Sequence, residues 1–250
     1  MKKAFFAILI LLLPVIEAHS DVTMQFRRFG TVRLYSETQF PKHVIIFLSG
    51  DGGWNKKTVE KAKYLAKLDS LIVGIDVMYY LKHMTVDPEG CYDPAQDFSA
   101  LSKVVQNHLH YPSHVPAILL GYSLGSTLVY GTLAQSEPHT FAGAISMGFC
   151  PDMPLDKPFC RGQGLDQKPY STAKEKGFLL SPAQTLQDWW LVFQGAQDEV
   201  CTDAATAAFV KQVPHSEYFS LPNVGHGFRV EANWMPEFKQ AFQRFESQPH

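Results

Sequence analysis

The stretch "GYSLGS", residues 121–126, stands where the apolar run "VPAILL" ends and the helix-like segment "TLVYGTLAQ" begins. A serine between two glycines at such a junction matches the GxSxG nucleophile elbow, a tight strand-to-helix turn that exposes the serine hydroxyl. Gly121 and Gly125 would let the strand and the helix approach closely, because glycine has no side chain. The short pattern also occurs in simple turns. Here the buried strand before it and the helix after it favour Ser123 as a nucleophile.

Apolar runs alternate with helix-like segments along most of the chain. Core strands are predicted at residues 43–50, 70–76, 115–123, 141–148 and 188–195, because these runs lack the polar alternation of half-exposed strands. Helices are predicted at residues 56–68, 94–108, 126–135, 204–213 and 234–245. This alternation predicts an α/β fold in which helices cover both faces of a mostly parallel sheet. Ligands of such folds bind beyond the carboxyl ends of the strands.

Two segments depart from this alternation. Residues 22–37, "VTMQFRRFGTVRLYSE", predict an antiparallel pair of short strands around Gly30. Residues 151–187 are rich in proline and glycine and show no long helical period. Loops of this length in compact domains usually serve as functional excursions. Since this one follows the fourth core strand, we expect a lid that overhangs the carboxyl edge of the sheet.

The first twenty residues, "MKKAFFAILILLLPVIEAHS", have the pattern of a secretory signal peptide. Two lysines precede an apolar run, and "AHS", residues 18–20, places small residues at the positions that a signal peptidase reads. The apolar run is shorter than the roughly 20 residues that a membrane-spanning helix needs. We therefore expect cleavage near Ser20, an exported mature chain and a single domain over residues 21–250.

Composition and motifs exclude several classes of function. The formal net charge is −2, whereas a nucleic-acid-binding protein needs a clustered basic face to neutralise phosphates. The sequence contains no CxxC pair and no HExxH helix, so no metal site is predicted. It also contains no GK[ST] phosphate loop and no GxGxxG fingerprint, so no cofactor is predicted.

Four cysteines, an even number in a chain expected to be exported, favour disulfides over free thiols. They are Cys91, Cys150, Cys160 and Cys201. Three pairings are possible from the sequence. Cys150 with Cys160 closes a short loop and is the pairing we favour, with Cys91 then joined to Cys201.

A serine nucleophile requires a histidine base and a carboxylate that orients it, in the chain order serine, acid, histidine. Asp198 lies in "VFQGAQDEVC", just beyond the glycine that ends the fifth core strand. His226 lies in "LPNVGHGF", a glycine-flanked loop that follows a sixth predicted strand, "EYFSL". These residues complete a predicted catalytic set with Ser123. Rival acids are Glu199, Asp203 and Asp76.

Acyl transfer also requires N–H donors for the developing oxyanion. The amide of Leu124 follows the nucleophile, and "FLSGDGGW", residues 47–54, occupies the loop that supplies the second donor in this arrangement. We expect the Asp51 amide there, with Gly52 as the alternative. The Asp51 carboxylate is predicted to meet a cationic part of the substrate. Trp54 and Tyr122 complete the predicted substrate-binding set.

Taken together and in this order, "FLSGDGGW", "GYSLGS", "GAQDEVC" and "VGHGF" resemble the VirJ/AcvB family of bacterial virulence proteins. The resemblance implies an α/β-hydrolase-type fold, a periplasmic location and hydrolysis of the aminoacyl ester of phosphatidylglycerol, chiefly the lysyl form. It places Ser123, Asp198 and His226 on the family's catalytic triad. Members of the family have also been linked to type IV secretion.

Two functional hypotheses follow. In the first, the chain is a periplasmic serine hydrolase that cleaves an ester through an acyl-enzyme, with aminoacyl phosphatidylglycerol as the expected substrate. In the second, it is a non-catalytic periplasmic binding or assembly factor associated with type IV secretion and virulence. The intact set of serine, acid and histidine favours the enzyme.

Overall fold

The computed structural model describes residues 22–173 and 175–246, so the predicted signal peptide and its cleavage near Ser20 lie outside the described residues. In chain order the strands are β1 (Val22–Gln25), β2 (Thr31–Tyr35), β3 (His43–Leu48), β4 (Ser70–Ile75), β5 (Ile118–Tyr122), β6 (Gly143–Met147), β7 (Asp152–Met153), β8 (Gln167–Ser171), β9 (Lys176–Leu180), β10 (Trp190–Gly195) and β11 (Ser216–Leu221). The α-helices are α1 (Lys56–Ala66), α2 (Val77–His83), α3 (Pro94–His108), α4 (Leu124–Gln135), α5 (Asp203–Val210) and α6 (Met235–Glu246).

Eight strands form the main sheet, in the order β1-β2-β4-β3-β5-β6-β10-β11. From β4 to β11 every neighbouring pair is parallel. β2 pairs antiparallel with both β1 and β4, so the predicted hairpin around Gly30 extends one edge of the sheet. The prediction of a mostly parallel α/β sheet is confirmed.

Helices cover both faces of this sheet. In β3, Val44 and Ile46 contribute to the core cluster that also contains apolar side chains of α2, α3, α4 and α5. The intervening Ile45 and Phe47 belong to a second cluster, which includes side chains of α1 and α6. Successive side chains of a strand point to opposite faces, so a strand buried on both sides reads as a continuous apolar run.

Every helix predicted from the sequence is present, with ends shifted by a few residues. α2 was not predicted from the sequence, and only one residue separates it from β4. Its first turn is capped by Asp76, whose carboxylate Oδ1 accepts hydrogen bonds from the amides of Met78 (3.0 Å) and Tyr79 (3.2 Å). No helix in the described ranges has the length and apolar character needed to cross a membrane.

The segment 151–187 is built around a small antiparallel sheet of three strands, in the order β7-β9-β8. Its last part is attached to the main body through α4. The Tyr130 hydroxyl donates to the Ser181 carbonyl (2.9 Å) and accepts from the Ala183 amide (2.8 Å). As predicted, the described residues of this excursion, 151–173 and 175–187, form no long helix.

The disulfide pairing predicted from loop length is wrong. The bonds join Cys91 to Cys160 and Cys150 to Cys201. Cys150 follows β6 and Cys201 follows β10, and these strands are neighbours in the parallel sheet. Carboxyl ends of adjacent parallel strands meet at one edge, so sheet order, not separation in the chain, brings these two cysteines together.

Candidate active site

The GYSLGS stretch forms a sharp turn between β5 and α4. Ser123 has φ 53° and ψ −122°, a left-handed conformation that a residue with a side chain adopts only under strain. The turn is held by the Ser123 amide, which donates to the Met147 carbonyl at the end of neighbouring β6 (2.9 Å). The strained backbone carries the Ser123 side chain at the carboxyl edge of the sheet.

Both glycines of the motif are required by close backbone contacts. A Cβ atom on Gly121 would lie 2.0 Å from the Gly125 carbonyl oxygen, and one on Gly125 would lie 2.4 Å from the Ser49 carbonyl oxygen. Real Cβ atoms do not approach other atoms so closely. The glycines therefore allow α4 to pack directly against β5 and against the end of β3.

The structure brings the three predicted side chains together. Ser123 Oγ lies 2.8 Å from His226 Nε2, and His226 Nδ1 lies 2.8 Å from Asp198 Oδ2. The Asp198 side chain is fully buried, whereas the His226 side chain keeps 20% of its surface exposed. This arrangement lets the histidine accept the serine proton while the buried carboxylate orients the ring.

Buried donors hold the Asp198 carboxylate. Oδ1 accepts from the amides of Val200 and Cys201, each at 2.9 Å. Oδ2 accepts from the Gln194 side-chain amide at 2.9 Å as well as facing His226. Gln194 was not predicted from the sequence as part of the site. The available signal was a polar side chain inside an otherwise apolar strand, which must find buried partners.

The rival acids have other roles. The Asp76 carboxylate caps α2 and accepts from the Trp54 amide (3.1 Å). Asp203 accepts from the hydroxyls of Tyr218 and Ser220, while Glu199 is exposed. Among the four acids considered, the structure therefore places Asp198 against His226.

The loop that carries His226 is held from α1 and from the end of β6. Gly148 has φ +69°, and a Cβ there would lie 3.3 Å from the imidazole, so the ring packs directly on backbone. Lys61 Nζ donates to the Gly227 carbonyl (3.1 Å) and lies 4.8 Å from the centroid of the Tyr122 ring. These contacts fix the loop on both sides of the imidazole.

Lys61 is only 5% exposed, and its environment disfavours the charged form. Burial, followed by repulsion from Lys57 and opposed by Glu60, lowers the pKa of Lys61 from 10.5 to about 8. Below pH 8 the ammonium is charged in both the folded and the unfolded chain, so the full cost of burying it opposes folding. Between about pH 8 and 10.5 the folded chain releases this proton while the unfolded chain keeps it. Stability therefore rises with pH in this range.

We expect the wild-type free energy of unfolding to rise by about 2 kcal/mol relative to Lys61→Met between pH 8 and pH 10, because only the wild type loses the buried charge. Urea unfolding of both proteins at several pH values measures the difference. Lys56→Met, which removes an exposed lysine of the same helix, should follow the wild type. A difference between wild type and Lys61→Met that does not change with pH would contradict the account.

Ser123 opens into a cavity of about 710 Å³. One wall comes from α2, with Met78, Leu81 and Lys82, and another comes from the excursion, with Asp152, Pro154 and Glu175. The Cys150–Cys201 disulfide and Val200 line it beside the acid loop, and Leu124, Thr127 and Asp51 line it near the serine. The excursion thus overhangs the carboxyl edge of the sheet, as predicted.

Both predicted oxyanion donors belong to residues that line this cavity. Leu124 is the first residue of α4, and Asp51 lies in the loop after β3. That loop approaches the nucleophile closely, since a Cβ on Gly50 would lie 3.2 Å from Ser123 Cβ. Gly52, the alternative donor, is not among the cavity-lining residues. The placement agrees with the expected donors, and their role in catalysis remains a proposal.

Two predicted substrate-binding residues lie elsewhere, since the residues that line the cavity include neither Trp54 nor Tyr122. The Trp54 indole packs over Gly74, where a Cβ would lie 2.3 Å from the ring, and its Nε1 donates to the Tyr35 hydroxyl (3.3 Å). The Tyr122 ring lies tilted against the His226 ring, with centroids 5.8 Å apart and an interplanar angle of 37°. Burial, then the carboxylates of Asp51 and Asp198, raises the pKa of Tyr122. Both aromatic rings support the loops from the face covered by α1.

One group of potential metal ligands occurs in the described part of the chain. Asp87, Cys91 and Cys160 place ligand atoms within 4.8 Å of one another. The two sulfurs are joined in a disulfide and therefore cannot act as thiolate ligands. The group lies apart from the contacts of Ser123, His226 and Asp198.

Residues 42–142 match a family model described as "Bacterial virulence protein (VirJ)". This segment contains the loop after β3 and the GYSLGS turn, whereas the acid and histidine loops follow it. Comparison with curated proteins gives no match.

Solved structures of α/β hydrolases share the fold. An alpha-beta serine hydrolase homologue from Coxiella burnetii is 19% identical, with a TM-score of 0.54, covering 90% of this chain and 96% of that one. The esterase domain of a Rhodothermus marinus protein is 17% identical, with a TM-score of 0.56 and coverages of 89% and 96%. Dienelactone hydrolase from Anabaena variabilis is 13% identical, with a TM-score of 0.57 and coverages of 90% and 95%.

Proposed function

We propose that this chain, a member of the VirJ family by its match over residues 42–142, is a serine hydrolase that cleaves carboxylic esters through an acyl-enzyme. The observation that carries the proposal is the continuous contact from Ser123 through His226 to Asp198, with both distances at 2.8 Å. The serine end of this chain of contacts opens into a cavity large enough for a substrate. The α/β-hydrolase fold and the names of its structural neighbours support the same class of reaction.

In the proposed mechanism, His226 Nε2 accepts the Ser123 proton as Oγ attacks the ester carbonyl. Asp198 holds the ring through Nδ1 and stabilises the imidazolium that forms. The amides of Leu124 and Asp51 donate to the oxyanion, and His226 then returns the proton to the leaving alcohol. A water molecule, deprotonated by His226, hydrolyses the acyl-enzyme and releases the acid.

For the substrate, we propose the aminoacyl ester of phosphatidylglycerol. Three carboxylates line the cavity, those of Asp51, Asp152 and Glu175, against a single lysine, Lys82. Such a lining favours an acyl group that carries a cationic ammonium. The resemblance to the VirJ/AcvB family points to the same ester, and its lysyl form carries two such groups.

This proposal places the enzyme outside the inner membrane. The two disulfides support an exported protein, because disulfides persist mainly in oxidising compartments. The signal-peptide pattern of the first twenty residues supports the same location.

The proposal is tested by incubating the purified protein with lysyl-phosphatidylglycerol vesicles and with a panel of neutral soluble esters, while released lysine or alcohol is measured. Asp51→Asn should lower kcat/KM for the lysyl ester about tenfold, because the substrate ammonium loses a charged hydrogen-bond partner. The kcat/KM for the neutral esters should change less. An equal loss of kcat/KM for both kinds of ester would show that Asp51 does not bind a cationic group of the substrate. Absence of hydrolysis across the whole panel would refute the enzyme proposal.

A further inference from the structure

The Cys150–Cys201 disulfide lies beside the nucleophile, because both cysteines line the same cavity as Ser123. The two cysteines belong to different loops. Cys150 lies between β6 and the excursion, directly before residue 151, and Cys201 lies in the acid loop after β10. The bond therefore joins the acid loop covalently to the segment that leaves the neighbouring strand.

On one side of this bond, Cys201 takes part in holding the triad acid. Its amide donates to Asp198 Oδ1 at 2.9 Å. Its carbonyl accepts from the Gln194 side-chain amide, which also donates to Asp198 Oδ2. A displacement of Cys201 would therefore disturb contacts to both carboxylate oxygens.

On the other side, Cys150 is tied to the nucleophile helix. The Thr127 hydroxyl, one turn beyond Ser123 in α4, donates to the Cys150 carbonyl (2.6 Å). The backbone amide of Phe149, the residue before Cys150, donates to Gln194 Oε1 (3.0 Å). The disulfide thus links the acid loop to the element that begins at the nucleophile.

Packing does little to hold the intervening part of the acid loop. Glu199 and Val200 are exposed, and Val200 keeps 68% of its surface accessible. Loops with few buried contacts open locally at low free-energy cost unless a crosslink restrains them. The covalent bond at Cys201 supplies that restraint two residues beyond the exposed side chain of Glu199.

We infer that the Cys150–Cys201 disulfide is a positioning element of the catalytic triad, so that full hydrolase activity requires this bond to be oxidised. The inference rests on the proposed function and adds redox sensitivity to it. A dithiol would reduce this bond by giving two electrons and two protons to the two sulfurs. The S–S bond breaks and leaves the thiols of Cys150 and Cys201, while the dithiol is oxidised to its own disulfide.

The second disulfide provides a matched control. Cys91–Cys160 joins the segment before α3 to the excursion, where the Tyr92 backbone exchanges hydrogen bonds with Pro158 and Cys160. Its cysteines are not among the residues that line the Ser123 cavity. Removing it should therefore lower stability without changing the position of Asp198.

The test compares Cys150→Ala/Cys201→Ala with Cys91→Ala/Cys160→Ala. We expect the first variant to lose about 10- to 100-fold in kcat/KM, because small misplacements of a catalytic group are costly. The acidic limb of its pH profile should also move, since that limb reports the histidine and its carboxylate partner. The second variant should keep the wild-type pH limb and a kcat/KM close to wild type, although its Tm falls. Equal behaviour of the two variants would overturn the inference.

A second measurement covers the case in which the first variant does not fold. The Cys91→Ala/Cys160→Ala protein retains only the Cys150–Cys201 bond, so dithiothreitol should lower its activity in proportion to the thiols titrated. Reoxidation should restore the activity. Unchanged activity with fully titrated thiols would overturn the inference while leaving the proposed function intact. A wild-type protein that neither hydrolyses esters nor reacts at Ser123 would instead overturn the function itself.

Discussion

Replacement of Ser123 with alanine is expected to lower kcat for ester hydrolysis at least about a thousandfold, because it removes the only atom that forms the acyl-enzyme. The fold should be retained, since the Ser123 hydroxyl is hydrogen-bonded to His226 and not to a residue of the hydrophobic core. Alanine at this position still has to adopt the left-handed backbone, as serine does. The variant should therefore unfold near the wild-type temperature.

The measurement is initial-rate hydrolysis of the best ester, combined with labelling by a fluorophosphonate probe. Ser171→Ala, which changes an exposed serine on β8, should hydrolyse and label like the wild type. If the fluorophosphonate probe still labelled the Ser123→Ala protein, the nucleophile would have to be another residue. If Ser123→Ala also kept the biological role of the chain, the binding or assembly hypothesis linked to secretion would take the place of the enzyme.

Replacement of Asp198 with asparagine is expected to lower kcat by about 10⁴-fold, as the loss of the orienting carboxylate does in the serine-protease triad. In the wild type, Asp198 Oδ2 lies 2.8 Å from His226 Nδ1 and carries negative charge. The asparagine side chain would place either a nitrogen donor or a neutral oxygen at this position. Either arrangement weakens the stabilisation of the imidazolium. Near-UV circular dichroism should show that the loop remains folded, and steady-state kinetics measures the loss.

Matched substitutions of the rival acids distinguish orientation from general electrostatics. Glu199→Gln removes an exposed charge from the residue next to Asp198 and should leave kcat close to wild type. Asp203→Asn should lower stability, because Asp203 accepts from Tyr218 and Ser220 across to β11, but should leave kcat close to wild type. A larger kinetic loss in either control than in Asp198→Asn would contradict the assignment of the acid.

Most of the fold was predictable because its signals are local. A strand covered on both faces reads as a continuous apolar run, and β3, β4, β6 and β10 are buried along their whole length. α2 was missed because a single residue, Asp76, separates the end of β4 from Val77, so no loop marks the junction. The cap that begins this helix, Asp76, was instead considered as a rival acid.

The site shows the same division between local and non-local information. Ser123 and His226 stand in short glycine-containing motifs, so the sequence identified them directly, and close backbone contacts require both glycines of the serine motif. Gln194 was missed because its partners, Asp198 and Phe149, come from separate loops. Trp54 was predicted to bind substrate, whereas its ring packs over Gly74 and its Nε1 donates to the Tyr35 hydroxyl.

The sequence by itself determined the types and order of the elements, the strained serine turn and the residue types available for acyl transfer. Only the tertiary structure decided that Asp198 meets His226 and that Cys150 pairs with Cys201. The physical reason is that these contacts depend on which strands lie side by side. In this sheet β10 lies between β6 and β11, so the loops that follow these three strands meet at the carboxyl edge only once the sheet has assembled.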